Sequence, residues 1–351
     1  MQEGQKKDVR NTKREELVVF FNEISEPSFR VNQLLEWIWE KGALGFEDMS
    51  NLPLSLRARL SDSFEFRAIT INDFQKSEDG TLKNAVRLFD GNVVESVLIP
   101  TDTRTTACVS SQVGCSLNCH FCATALLKRM RNLNPDEIFD QVFLIDKQSK
   151  EQFNRPLSNI VFMGMGEPLL NYQNVLTAID KITSPRGLNI SAKRITLSTV
   201  GLPKMIKKLA DDEVKFNLAV SLHSAIDEKR SSIMPINRIS PLKELLESLQ
   251  YWYAATKRKV TFEYVVWKGL NDSLEDILAL RDFCKKIPSK VNLIEYNAIG
   301  DARFEQADSK VLDEYQRILG HDGIVAKIRR SRGKDIDAAC GQLANKNVLM
   351  N

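Results

Sequence analysis

Residues 108–122 read Cys108-Val-Ser-Ser-Gln-Val-Gly-Cys115-Ser-Leu-Asn-Cys119-His-Phe-Cys122. Four of the chain's six cysteines stand in this stretch, and the last three are spaced C-x3-C-x2-C. A structural zinc site normally closes four ligands as two paired knuckles. The sequence offers no second C-x2-C pair, and its three histidines (His120, His223, His321) form no zinc-like pair. A cube of iron and sulfide held by three thiolates instead leaves one iron without a protein ligand, free to chelate a small molecule. Such clustering reads as metal or redox chemistry and not as a disulfide framework.

Outward from Cys108 a rhythm sets in. Short β-rich runs (ACVSSQ, SNIVFMGMG, KRITLSTV, FNLAVSLH, VTFEYVVW, VNLIEYN, IVAKIRRS) alternate with amphipathic stretches at 135–147, 174–182, 203–210, 241–253, 274–286 and 310–319. Repeated β–α units predict a parallel sheet or partial barrel with helices outside. In such folds the chemistry collects at the carboxyl ends of the strands. The distinctive residues stand there: Cys115, Gly166-Glu167, Ser198, Ser221-Leu222-His223 and Asn297.

Upstream the pattern differs. Residues 1–68 carry apolar residues at helical spacing in Glu15–Ile24 and Val31–Trp39, with a third helix entered through Pro53. They are expected to form a helical accessory domain. Residues 69–106 hold two alternating runs around Asp90-Gly91, with a second turn signal at Asp79-Gly80, which predicts a β-hairpin extension. Residues 107–351 then form the core.

The 351 residues, 43% hydrophobic and 27% charged, fit an ordinary soluble protein able to bury a large core. No apolar run reaches the length of a membrane span. The polar start MQEGQKKDVRNTKREE lacks the apolar centre of a secretory signal, so a cytoplasmic location is expected. A net charge of +3 neither requires nor excludes nucleic acid. Basic clusters at Lys128-Arg129 with Arg131, at 257–259 and at 329–334 are candidate phosphate contacts, the first and last because they adjoin the motifs.

The spacing C-x3-C-x2-C after a first β-strand resembles the signature of the radical S-adenosylmethionine enzymes, which have a partial (β/α)6 barrel. The resemblance implies a [4Fe-4S] cluster on Cys115, Cys119 and Cys122, with S-adenosylmethionine on its open iron. Gly164-Met165-Gly166-Glu167-Pro168 resembles the superfamily's GGEP segment, where glycines admit the backbone and an acid holds the cofactor's amino group. Ser198, Ser221, Leu222, His223 and Asn297 extend that implied pocket.

Over nearly the whole chain the sequence also resembles the radical S-adenosylmethionine methyltransferases of adenosine C2. The resemblance rests on VESVLIP with Glu95, CVSSQVGC, FMGMGEP, LSTVG, SLHS, MPIN at 234–237, the Gly-Leu-Asn-Asp loop at 269–272, VNLI..N and DIDAACGQL. It implies a route for a ring carbon that has no lone pair to attack a methyl cation. One S-adenosylmethionine methylates Cys340, and a second yields the radical that removes hydrogen from that methyl group. The methylene adds to the ring, and Cys108 resolves the crosslink through a disulfide with Cys340. Glu95 matches the carboxylate that accepts the ring proton. The resemblance implies 23S rRNA and tRNA as substrates and flavodoxin as an electron donor; a monomer is the default expectation. One departure is Lys128-Arg129, where the family more often has a Gly-aromatic pair. A sister family that methylates adenosine C8 shares the five cysteines, and a non-catalytic Fe–S RNA-binding protein is the third reading. Cys284 matches no motif.

Overall fold

The structure, a computed structural model, describes residues 6–345. Its main sheet has ten strands: β1 (Thr70–Lys76), β2 (Leu82–Arg87), β3 (Val93–Pro100), β4 (Thr105–Cys108), β5 (Asn159–Phe162), β6 (Ile195–Thr199), β7 (Asn217–Ser221), β8 (Val260–Val266), β9 (Ser289–Glu295) and β10 (Val325–Arg329). Each strand lies beside its neighbours in sequence. From β4 to β10 the pairing is parallel, with registers such as Ala107↔Ile160, Ser198↔Ala219 and Glu263↔Asn292. Parallel neighbours need crossovers. Helices α4 (Pro135–Phe153), α5 (Tyr172–Thr183), α6 (Pro203–Asp211), α7 (Asp227–Ile233), α8 (Leu242–Thr256), α9 (Leu274–Lys285) and α10 (Ser309–His321) supply them. This is the expected barrel-like α/β fold of six β–α units with a seventh strand following.

The hairpin of residues 69–106 is an extension of the same sheet. β1 to β3 pair antiparallel, and β3 continues onto β4 through Leu98↔Ala107. Gly80 and Gly91, both at positive φ, make the two turns.

Local chemistry starts the helices. Asn134 and Pro135 open α4, where the Glu137 carboxylate accepts the Asn134 N–H at 2.8 Å. Ser273 opens α9 with a reciprocal pair of bonds to Asp276. Buried side chains on one face of the parallel strands, among them Ile160, Leu197, Val220, Phe262 and Leu293, lie in register with one another and form the core.

Before β1, α1 (Arg14–Glu23), α2 (Phe29–Trp39) and α3 (Leu54–Ser63) bury Leu17, Phe21, Leu34, Ile38, Leu56 and Leu60 together. They dock on α4. Trp39 meets Phe139 edge to face at 5.2 Å. Buried Arg10 bridges Asp136 at 2.9 Å and Asp140 at 2.5 Å.

The segment after β10 crosses back to the first hairpin. The Gly333 N–H donates to Asp79 at 2.9 Å, and Asp335 accepts the Ser77 hydroxyl and the Glu78 N–H. Further on, Ala344 and Asn345 donate their N–H groups to Glu95 at 2.8 and 3.1 Å. No helix among the described residues is long and apolar enough to cross a membrane.

Candidate active site

The carboxyl ends of β5 to β9 surround an open cavity of about 950 Å³, counted out to its mouth. Cys115, Cys119, Cys122, Gly166, Glu167, Ser198, Ser221, His223 and Cys340 line it. Nine of the thirteen residues singled out from sequence thus share one wall. The other four do not line it.

The cysteine loop is held from beneath. His120 donates its N–H to the Ile233 carbonyl at 2.9 Å, and Asn118 takes the left-handed turn. Cys119 packs with Ile233, Met234, Val265, Trp267, Ile294 and Tyr296 in a small apolar cluster of its own. That is the local role of Met234 in MPIN. Burial, followed by the nearby Cys122 and Cys115, pushes the Cys119 thiol far up. Cys115 and Cys122 are pushed up by burial too. Three closely placed thiols, each raised by burial, suit a cationic core that takes all three as thiolates. Among the described residues, no three His, Cys, Asp or Glu side chains converge to hold a single metal ion. Thiols spread along one wall fit a cluster in which each binds a different iron.

The strand-end turn at 164–168 is shaped for close approach. A Cβ on Gly164 would sit 2.7 Å from the Val109 carbonyl and from the Ser110 hydroxyl. Gly166 has φ +97, and a Cβ there would sit 2.5 Å from Gln112 Cβ. Glu167 accepts the N–H of Leu169 at 3.0 Å and of Val200 at 2.9 Å. Burial nevertheless raises its carboxyl to about 7, so a cationic ammonium group would be a favourable partner.

His223 sits at φ 58, with its carbonyl held by Asn271 at 2.7 Å. Its Nδ1 accepts the Val265 N–H at 3.1 Å, which leaves the proton on Nε2. Burial, with Arg230 nearby, lowers it to about 3. It therefore offers a neutral N–H donor across the physiological range.

Leu222 is fully buried outside the cavity wall, because its backbone is committed to the frame. Its N–H donates to the Glu263 carbonyl, and its carbonyl accepts from Arg230. Asn297 stands behind Cys340 and donates to its carbonyl at 3.3 Å, while its own Oδ1 is buried without a partner among the described residues. An orphaned acceptor beside the cavity fits an incoming donor. Cys108 is buried in β4 beneath Met163, whose N–H points to its sulfur, and burial raises it strongly. The Cys340 charge adds to that rise, so the two thiols are neighbours. All six cysteines are free in this state, so no disulfide joins them. Glu95 is buried in β3, 3.6 Å from Lys83, and holds the C-terminal segment.

Cys340 opens onto the cavity yet is enclosed by protein at longer range. Burial, then Glu263 and Cys122, push its thiol up to about 11. The adjoining Gly341 carbonyl accepts the Ala123 N–H at 2.7 Å, tying its segment to the cysteine loop.

The basic clusters divide. Arg131 is committed to Asp90 and Glu137. Lys128 and Arg129 stay exposed. Residues 257–259 precede β8, at the end of the sheet away from the cavity. Glu295 pairs with both Arg330 and Lys334, although Arg330 keeps most of its side chain in solvent.

Sequence reading missed the roles of three site residues. Arg230, fully buried, donates to the carbonyls of Leu222, Val200 and Ser221 and to Asn237. Asn271 donates to the His223 and Val265 carbonyls and accepts the Trp267 N–H. Glu263 lines the cavity from β8.

Comparison with known proteins agrees with this geometry. The Radical SAM superfamily profile matches residues 109–282, and the profile described as ribosomal RNA large subunit methyltransferase N-terminal domain matches residues 7–66. The chain is 62% identical over 344 residues to the probable dual-specificity RNA methyltransferase RlmN of Flavobacterium psychrophilum, covering 98% of this chain and 99% of the relative. Identity and coverage are the same for the protein of that name from Flavobacterium johnsoniae. The crystal structure of a radical SAM methyltransferase from Sphaerobacter thermophilus is 37% identical, with a TM-score of 0.90 over 96% of this chain and 99% of that one. The radical SAM superfamily implies an iron–sulfur cluster and S-adenosylmethionine, and the cavity carries the residue types that both require. With its fold, its thiol-lined cavity and these relatives, the chain belongs to the radical SAM dual-specificity RNA methyltransferases.

Proposed function

We propose that this enzyme methylates C2 of an adenosine at the peptidyl-transferase centre of 23S rRNA and of the adenosine beside the anticodon in tRNA. The observation that carries the reading is that Cys340 opens onto the same cavity as the three motif cysteines. Cys115, Cys119 and Cys122 would hold one [4Fe-4S] cluster, whose role when bound is to supply the electron that cleaves S-adenosylmethionine to a 5′-deoxyadenosyl radical. Gly166 and Glu167 would receive the amino group of S-adenosylmethionine. Ser198, Ser221, His223 and Asn297 would position the rest through hydrogen bonds, with Leu222 acting through its backbone.

In this reading Cys340 gains a methyl group from one S-adenosylmethionine, loses a hydrogen from it at the expense of a second, and bonds the adenine ring through the remaining carbon. Glu95 would accept the C2 proton once the C-terminal segment moves and the Ala344 and Asn345 N–H groups release it. The Cys108 thiol, on losing its proton, attacks the Cys340 sulfur; the sulfur–methylene bond breaks with its electron pair on the carbon, which takes a proton to become the methyl group, and the disulfide between the two cysteines is left behind. Burial keeps Cys108 protonated in the resting chain, so its step follows a shift of the Cys340 segment. We further propose residues 1–68 as the RNA-recognition unit, 69–106 as the β extension and 107–351 as the catalytic core. The enzyme would act as a cytoplasmic monomer supplied with electrons by a flavodoxin.

Mass spectrometry of nucleosides from 23S rRNA and tRNA after anaerobic reaction tests this. Wild type should give 2-methyladenosine from both, and Cys108→Ala a covalent RNA adduct at Cys340. A product of 8-methyladenosine would move the enzyme to the sister family. No methylated base from cluster-loaded enzyme would overturn the substrate assignment.

A further inference from the structure

Glu263 is a buried carboxyl group that none of the motifs includes. It stands on β8 with its side chain in the cavity that Cys340 shares. Its Oε1 accepts the Asn292 side-chain N–H at 2.8 Å, from the register partner on β9. Asn292 in turn accepts from Arg329 on β10 at 3.1 Å. The carboxyl group is therefore held from one side across three strands, with the cavity on its other side.

Cys340 poses a problem that this arrangement addresses. Its thiol is pushed up to about 11, so at neutral pH it carries a proton. A thiol is a poor nucleophile until that proton leaves. Among the described titratable groups lining the cavity, His223 is a neutral donor, Glu167 is committed to the Leu169 and Val200 N–H groups, and Cys115, Cys119 and Cys122 belong to the cluster wall. Arg230 is occupied by carbonyls. Arg329 faces Glu263 through Asn292. Glu263 remains, and after burial it is the group whose charge most raises Cys340.

We propose that Glu263 is the base that takes the Cys340 proton when that sulfur accepts its methyl group. The inference rests on the reading that Cys340 is methylated. The S–H proton passes to the Glu263 carboxylate, and the sulfur lone pair bonds the methyl carbon of S-adenosylmethionine. The carbon–sulfonium bond breaks with its electron pair going to the departing sulfur. The products are S-methyl-Cys340, S-adenosylhomocysteine and protonated Glu263, with charge and atoms balanced and no oxidant needed. Burial raises the Glu263 carboxyl to about 7, which suits a base working near neutrality.

The test uses two reactions of the same thiol. Transfer of a deuterated methyl group from S-adenosylmethionine to Cys340 is followed by peptide mass spectrometry in the anaerobic, cluster-loaded full chain between about pH 6 and 9. Alkylation of Cys340 by iodoacetamide is followed in parallel. Glu263→Gln keeps the oxygen that Asn292 donates to and removes the negative charge. Methyl transfer should fall about a hundredfold near pH 7 and lose its inflection there. Alkylation should become faster, since the thiolate no longer faces a carboxylate. Glu263→Asp should retain the inflection and recover part of the rate.

Methyl transfer and alkylation rising together in the Gln variant would overturn the proposal and leave Glu263 a purely electrostatic neighbour. An unchanged pH profile with weakened S-adenosylmethionine binding would overturn it in favour of a cofactor-positioning role. An Asp variant no better than Gln, with Cys340 still alkylated normally, would also overturn it. A wild-type Cys340 that alkylates but never gains a methyl group would overturn the reading beneath it, a failure distinct from the other three.

Discussion

Arg230 shows how one residue can set the shape of a site without reaching into it. Among the described residues its guanidinium has no carboxylate partner within hydrogen-bonding distance, and its donors go to carbonyls at the ends of β6 and β7 and to Asn237. Burial lowers it to about 10, still charged at neutral pH. Arg230→Met should leave several buried carbonyls unpaired and cost about 3 kcal/mol in urea unfolding. Arg230→Lys should recover little of that loss, because a single ammonium group cannot span the same acceptors. Asn271→Ala should cost about 2 kcal/mol by the same measurement, since it frees the His223 and Val265 carbonyls and the Trp267 N–H. The cysteines and glycines were legible in the sequence because their chemistry demands fixed residue types at fixed local spacing. Arg230 and Glu263 were not, because their partners come from neighbouring strands and no short-range pattern marks them, while Asn271 stood in a quoted motif whose spacing does not show that it caps the His223 carbonyl. In sequence, Arg230 sits in the charged run DEKR, outside every helical stretch and motif that the pattern marks.

Among the elements, α4 is where the N-terminal helices meet the barrel. Arg10 reaches it between Asp8, Asp136 and Asp140, all buried. Arg10→Met would strand three carboxylates and should cost about 3–5 kcal/mol. Burial raises Asp136 from 3.8 to about 7, so its native form holds a proton more tightly than its unfolded form. Its stabilising share is complete below about pH 4 and disappears as pH rises through 7. Thermal unfolding should therefore show Asp136→Asn gaining on wild type between those limits, with the difference constant above them. Helical periodicity read α4 as ending near Lys147, but it continues to Phe153. Gln148 and Ser149 in that last turn and a half are buried polar residues, and Gln148 exchanges hydrogen bonds with Asn84 on β2. Apolar periodicity cannot see a helix end held by amides. Helix α7, seven residues without an apolar stripe, was invisible for the same reason.

For the whole molecule, the exposed chemistry near the cavity lies on the loop that crosses Gly114, where Lys128 and Arg129 stand in solvent beside Leu126 and Met130. Lys128→Ala with Arg129→Ala should weaken tRNA binding and reduce its salt slope by about 2, measured by filter binding at several salt concentrations. Methylation of Cys340 by S-adenosylmethionine should be unchanged. Arg131→Ala should instead lower stability, since that residue bridges Asp90 and Glu137.

The return of the C-terminal segment to the first hairpin has a kinetic meaning. A closed barrel would seal its seam with a β-ladder, which opens only when the sheet does. Here the seam is fastened by separate side-chain clasps: Asp79 to Gly333, Ser77 to Asp335, and Glu95 to Ala344 and Asn345. Clasps of this kind can release a few at a time, at a free energy well below that of global unfolding. In hydrogen exchange, amides of 338–345 should open independently of β8 and β9. Cys340 would then ride on a stretch of chain that can change partners while the cavity beneath it keeps its shape.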